Sequence, residues 1–157
     1  MKIDITELKQ TDSFAKMIAA YIQSSNELNV FYLNGDLGSG KTTLVRHILM
    51  HMGWEGSVKS PTFSILEEYK INNHDIFHAD LYRLEGENDF DMLGLEINKD
   101  NKAAIFIEWA DKIAPFDIEN EIFLSLSLNT NERCVEIKTK CKKFLNCIDG
   151  VNINNPI

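Results

Sequence analysis

Residues 35 to 42, Gly35-Asp36-Leu37-Gly38-Ser39-Gly40-Lys41-Thr42, carry the clearest chemistry in this chain. They follow the pattern G-x-x-x-x-G-K-[ST], and each position has a physical reason. Gly35, Gly38 and Gly40 let the backbone turn so that successive N–H groups converge on one anionic group at a helix N-terminus. Lys41 supplies a point charge for the outer phosphate oxygens, and the Thr42 hydroxyl is a hard oxygen ligand suited to magnesium. Thr43 follows as a support for the inner phosphate. The loop thus reads as a cradle for a nucleoside triphosphate, with Asp36, Leu37 and Ser39 lending backbone. A glycine-rich turn that only reversed direction would not need a lysine at a helix start, where it opposes the helix dipole.

A cation held by one hydroxyl and phosphates usually also needs a carboxylate from the end of a neighbouring strand. Two acids stand where such an end is expected. Glu108 closes the apolar run Ile105-Phe106-Ile107, and Asp80 closes Ile76-Phe77-His78-Ala79. Glu108 is assigned to the magnesium shell and Asp80 to water positioning or the γ-phosphate edge, with the division of roles between them open. Thr62, in Ser60-Pro61-Thr62, is a candidate γ-phosphate sensor on a loop. Arg83 is given a surface ion pair rather than a role in neutralising phosphate charge. Trp109 either packs beside the site or joins the core. His74 and His78 stand i, i+4 on an extended strand, about 13 Å apart, which excludes a shared zinc. Asp91-Met92-Leu93-Gly94 imitates a guanine-nucleotide motif without a strand leading into it, and Asn98-Lys99-Asp100-Asn101 has asparagine where guanine reading needs aspartate. Adenine is favoured, so the expected ligands are ATP and Mg2+.

These groups need a scaffold, and the apolar pattern supplies one. Phe14, Met17, Ile18 and Tyr21 recur at helical spacing over residues 11 to 23, with Thr11 or Asp12 as the N-cap. Val30-Phe31-Tyr32-Leu33 is a buried strand ending at Asn34-Gly35, and Leu44, Val45, Ile48, Leu49 and Met52 mark a helix stopped by Gly53. Strands are expected over Phe63 to Tyr69, Asp75 to Tyr82 and Ala103 to Glu108, the first two joined by a turn at Asn72-Asn73. A short helix is expected over residues 88 to 97. Glu121 to Leu128 and Cys134 to Thr139 form a second hairpin. The fold class is α/β: a P-loop NTPase-like sheet with central parallel strands, added antiparallel hairpins and flanking helices. One domain is expected over residues 1–157, with 149–157 a polar, disordered tail.

Composition narrows the setting. The chain has 157 residues, 44% apolar, with Lys+Arg 16 against Asp+Glu 24. A net charge of -8 opposes direct, unaided binding to nucleic acid, whose nonspecific affinity comes from cations meeting phosphates. Cys134, Cys141 and Cys147 lack metal-type pairing and are expected as reduced thiols. No run approaches the roughly 18 apolar residues of a membrane span, and the N-terminus lacks a secretory core, so a cytoplasmic location is expected.

Four blocks in order resemble the bacterial TsaE (YjeE) family: Gly35 to Thr43, Val58-Lys59-Ser60-Pro61-Thr62-Phe63, His78-Ala79-Asp80-Leu81-Tyr82-Arg83-Leu84 and Ile107-Glu108-Trp109. The resemblance runs from about Thr11 to Arg133. It implies an ATPase needed for the threonylcarbamoyl modification of the adenosine beside the anticodon, in tRNAs that read codons beginning with A. The implied partners are the proteins TsaB and TsaD, with tRNA met only indirectly through that complex. Carried onto matching positions, it supports Lys41 and Thr42 at phosphate and magnesium, Asp80 and Glu108 at the catalytic edge and Trp109 beside them. It also places Thr11 and Arg133 near the nucleotide base. Ala110-Asp111 departs from the family's usual Pro-Glu, which releases a φ constraint and shortens the acid.

Two other classes share the cradle. A small-molecule or nucleotide kinase would need an acceptor pocket and an arginine-bearing lid, and only Arg83 lies between the first long helix after the loop and Glu108. A nonhydrolysing nucleotide-dependent binding module would keep the cradle but not turn over.

Overall fold

The computed structural model describes residues 1–58, 65–85, 91, 93–95 and 101–149. Its centre is a seven-stranded sheet in the order β1-β7-β6-β2-β5-β4-β3. The strands are β1 (Lys2–Asp4), β2 (Leu28–Asn34), β3 (Leu66–Ile71), β4 (His74–Asp80), β5 (Ala103–Glu108), β6 (Glu121–Asn129) and β7 (Glu132–Thr139). The helices whose spans are described are α1 (Leu8–Ser24), α2 (Lys41–Met52) and α3 (Lys142–Asp149), with a 3-10 turn at Ala110–Lys112. β6, β2, β5 and β4 run parallel, while β3, β7 and β1 add antiparallel pairings at the two sides. The expected α/β architecture, with parallel centre and antiparallel hairpins, is what the sheet shows.

The unbroken apolar run of β5 follows from burial on both faces, since all six residues from Ala103 to Glu108 are buried. On one face Phe31, Leu33, Ala104, Phe106, Ile122 and Leu124 meet Phe14, Ile18, Leu44, Ile48 and Phe144 from the three helices. On the other, Val30, Tyr32, Ala79, Ile105 and Ile107 lie under Leu81 and Ala110, with Phe116 and Ile113 packed against them. Even-numbered residues of β4 and β5 therefore point toward α2, and this parity decides which strand-end side chains can reach the loop.

Both hairpins form. Asn72 and Asn73 take φ of 48° and 65°, the left-handed pair a two-residue turn requires, and the Asn72 amide donates to the Met52 carbonyl at 3.0 Å. That bond ties the hairpin to the end of α2, where Gly53 at φ 105° stops the helix.

Some sequence expectations change, and two elements are added. The first helix starts at Leu8 rather than at 11, because Glu7 is its N-cap and the Gln10 side chain accepts from the Glu7 N–H at 2.7 Å. Thr11 is thus inside the helix, and its hydroxyl donates to the Ile5 carbonyl at 3.1 Å. β1 had no expectation over Lys2–Asp4; three residues are too few for periodicity, and pairing with β7 defines it. α3 was likewise unforeseen, since only Phe144 and Ile148 mark its buried side. The strand expected from Phe63 starts at Leu66, since Ile65 takes φ 65° and breaks the extended run, while residues 63 and 64 and most of the helix expected over 88–97 lie outside the described residues. Among the described residues no helix is long and apolar enough to cross a membrane.

Candidate active site

The site grows from the C-terminal end of β2. The chain leaves the strand at Asn34, turns through the glycine-rich loop and enters α2 at Lys41. Gly35, Gly38 and Gly40 have φ of 142°, 81° and 106°. Of the three, only Gly35 has no room for a side chain. A Cβ there would meet the Leu126 carbonyl oxygen at 2.3 Å and the Ser39 Oγ at 2.8 Å. At Gly38 nothing stands within 4 Å, and at Gly40 only the Leu126 Cδ2 at 4.0 Å, so their requirement is backbone conformation.

Gly40 is also the N-cap of α2. With no side-chain oxygen at the cap, the first-turn N–H groups of Lys41, Thr42 and Thr43 lack a partner inside the helix. No acid occupies that first turn either. An anion fits this helix end by dipole and by donor count.

Lys41 is 4% exposed and folds across the loop, its ammonium donating to the Gly35 carbonyl at 2.5 Å and the Asp36 carbonyl at 3.0 Å. The Nζ also lies 4.3 Å from the centre of the Trp109 ring. Burial holds its pKa below the ordinary lysine value, while Glu108, Asp80, Asp36 and Asp111 pull it back up. Those acids and the two carbonyls favour the charged form of the lysine against its burial.

Asp80 and Glu108 are register partners on the parallel strands β4 and β5, so both carboxylates emerge on the α2 side at the same level. They are 6% and 3% exposed. The Thr42 hydroxyl donates to Glu108 Oε1 at 2.8 Å. Asp80 Oδ1 accepts the Tyr82 N–H at 3.0 Å, which fixes the chain as it leaves β4. Trp109 takes the left-handed conformation at φ 57°, its N–H donates to the Leu33 carbonyl at 3.0 Å, and its ring lies 5.0 Å from that of Tyr82. Its place is therefore beside the loop lysine, partly buried against the second core face.

A cleft of about 390 Å³ joins these groups, lined by Leu37, Gly38, Lys41, Thr42, Asp80 and Glu108, with Trp109, Tyr82 and Arg83 along one wall. Arg83, expected in a surface ion pair, is thus also part of the wall. An adjoining hollow of about 220 Å³ shares Gly40, Thr43 and Arg133 with the cleft and reaches Thr11, Leu8 and Ser39. Thr11 and Arg133 come together there although they are far apart in sequence. Asp36 is exposed at the loop, and Thr62 lies outside the described residues. Magnesium suits the donor set: Thr42 gives its proton to Glu108, which leaves the hydroxyl lone pairs free for a cation.

Two neighbours escaped the sequence reading. His78 is fully buried and its Nε2 lies 2.8 Å from Glu108 Oε1, the same oxygen that Thr42 reaches. Its signal was even spacing from Asp80 on one strand, which puts both side chains on the α2 face. Asn34, at the strand end, accepts the Asp111 N–H through its Oδ1 at 3.2 Å, holding the segment in which Ala110-Asp111 departs from the family's usual pair.

The family model described as "Threonylcarbamoyl adenosine biosynthesis protein TsaE" matches residues 5–137. Relatives called "tRNA threonylcarbamoyladenosine biosynthesis protein TsaE" include one from Haemophilus influenzae, 39% identical over 106 residues, covering 68% of this chain and 67% of the relative. Another, from Rickettsia typhi, is 36% identical over 132 residues, or 83% of this chain and 89% of its own. The crystal structure of YdiB from Bacillus subtilis shares the fold with a TM-score of 0.70 at 22% identity, covering 96% of this chain and 92% of that one. With most of its length matched by the family model and more than a third of the aligned residues identical in these relatives, the chain belongs to the TsaE family.

Proposed function

We propose that this protein is an ATP-binding, ATP-hydrolysing subunit in tRNA threonylcarbamoyladenosine biosynthesis, acting with TsaB and TsaD. The observation that carries the reading is the 2.8 Å bond from Thr42 to Glu108, which joins the start of α2 to the end of β5. It brings a hydroxyl and a carboxylate together where the loop ends. The triphosphate rests on Asp36 to Thr43, with Lys41 against its outer oxygens. Thr42 and Glu108 hold magnesium, which when bound neutralises phosphate charge. Asp80, one strand over and level with Glu108, orients the attacking water. Trp109 stands over the lysine ammonium and, with Tyr82, lines the cleft. Thr11 and Arg133 border the hollow for the base, and Thr62 belongs to the γ-phosphate sensor. The net charge of -8 fits contact with tRNA through the partners rather than directly.

The test is ATP hydrolysis by the purified chain alone and with purified TsaB and TsaD. Stimulation by the pair supports the proposal. Transfer of the phosphate to a small metabolite would instead establish a kinase, and binding without turnover in either setting would leave a nucleotide-dependent binding module.

A further inference from the structure

Glu108 Oε1 receives two donors at once, the Thr42 hydroxyl and the His78 ring, each at 2.8 Å. A carboxylate only accepts, so the His78 Nε2 must carry a proton. The ring is 0% exposed, and its other nitrogen, Nδ1, has no hydrogen-bond partner among the described residues. The geometry thus places a proton on Nε2 and aims it at Glu108.

The second consequence concerns direction. Glu108 sits at the end of β5 with a side chain of several rotatable bonds, beside a lysine that attracts it. Thr42 alone could follow such a side chain as it swings, because a hydroxyl rotates freely. An imidazole packed inside the sheet–helix layer cannot follow. His78 lies two residues before Asp80 on β4, paired in register with Phe106, two before Glu108 on β5.

We infer that His78 is a positioning residue: its Nε2–H pins Glu108 Oε1 beneath Thr42 so that the threonine proton is directed inward and its lone pairs face the cation. This role deepens, and rests on, the magnesium–ATP reading above. It concerns the holding of the metal's ligands, not binding of the nucleotide by itself.

The experiment titrates magnesium against binding of a fluorescent ATP analogue in the full-length wild type and in His78→Leu, His78→Gln and His78→Asn, with thermal melts as a check on folding. In His78→Leu the magnesium concentration for half-maximal effect should rise roughly 10- to 100-fold, while metal-free nucleotide affinity changes less than about threefold. Glutamine carries an amide N–H out to the depth of Nε2 and should restore most of the magnesium response; asparagine ends short, at the depth of Nδ1, and should not. If leucine leaves the folded protein unstable, the glutamine–asparagine contrast decides. Nitrogen NMR of the labelled wild type should show a protonated Nε2. The opposite tautomer, equal magnesium dependence in all variants, or equal losses with and without magnesium would overturn the role. A wild type with no magnesium-dependent nucleotide binding would defeat the functional reading itself, whereas a responsive wild type with unaltered variants defeats only the role of His78.

Discussion

Replacing Gly35 by alanine should damage the protein more than the same change at Gly38, although both glycines belong to one loop and both have positive φ. At Gly38, with φ 81° and open space, the cost is backbone strain alone, about 1–2 kcal/mol. At Gly35, with φ 142°, the strain is about 1–3 kcal/mol. There the new methyl also lies 2.3 Å from the carbonyl oxygen of Leu126, a backbone atom in the middle of the sheet. Relieving that overlap needs β6 or the loop to shift, an overpacking cost of about 1–3 kcal/mol. Stiffening of the unfolded chain offsets both variants by about 0.4–1 kcal/mol and cancels in the comparison. The difference is therefore about 2 kcal/mol, or about 1 M in urea midpoint for a slope near 2 kcal/mol/M. Because the Gly35 carbonyl also accepts from Lys41, the shifted loop should lose nucleotide affinity in Gly35→Ala beyond what the stability loss explains. Urea titrations of both variants, followed by nucleotide binding under conditions where each is folded, test the reasoning. Coincident midpoints would refute it, since they would mean that the Leu126 carbonyl does not constrain the turn.

Lys41→Met should leave the fold intact, because burial already disfavours the ammonium there, yet weaken ATP binding on the order of 100-fold or more through lost charge-assisted bonds; calorimetric titration and a thermal melt separate the two effects. Asp80→Asn should bind ATP nearly as wild type and lose turnover by roughly 100-fold in a steady-state phosphate-release assay, and wild-type rates would remove Asp80 from the chemistry. Asp12 joins α1 to α2 by accepting from His47 at 2.7 Å and His51 at 2.9 Å, and the His47 bond leads in holding its carboxyl below the usual range. Its side chain is 45% exposed, so Asp12→Asn should cost less than about 1 kcal/mol at neutral pH. For a carboxylate lowered by folding, that stabilisation is fully present above the unfolded value of about 3.9 and is lost as pH falls through the lower folded value. Urea midpoints of wild type and variant should converge in acid, and a constant gap at every pH would show that the carboxylate charge is not its source.

What was legible in the sequence was whatever repeats or terminates within a short stretch. Val30-Phe31-Tyr32-Leu33 declared a doubly buried strand, Gly53 declared the end of α2, and Asn72-Asn73 declared a left-handed turn, because each consequence is local. β1 was not legible: its three residues acquire a structure only by pairing with Glu136, Val135 and Cys134 at the far end of the chain. The start of α1 was hidden for a related reason. Glutamate is not a favoured N-cap by type, and the Gln10 side chain that answers its N–H is what makes Glu7 the boundary.

The same distinction governs the site. The loop could be read because its requirements, glycine conformation and a lysine–threonine pair at a helix start, are all carried in one segment. Asp80 and Glu108 could be proposed because strand ends in a parallel sheet face one crevice, but nothing in sequence says that they fall level with each other; the register Asp80↔Glu108 does. His78 shows where such reasoning stops. Viewed against His74 it suggested only a metal pair, and distance disposed of that. Its relevant partner is on another strand, 30 residues away, and is reached because β4 and β5 are parallel and in step. A residue that binds no ligand itself but fixes one that does leaves no motif of its own. It becomes visible when two donors are found on a single oxygen, and the proton on His78 Nε2 follows from that shared acceptor.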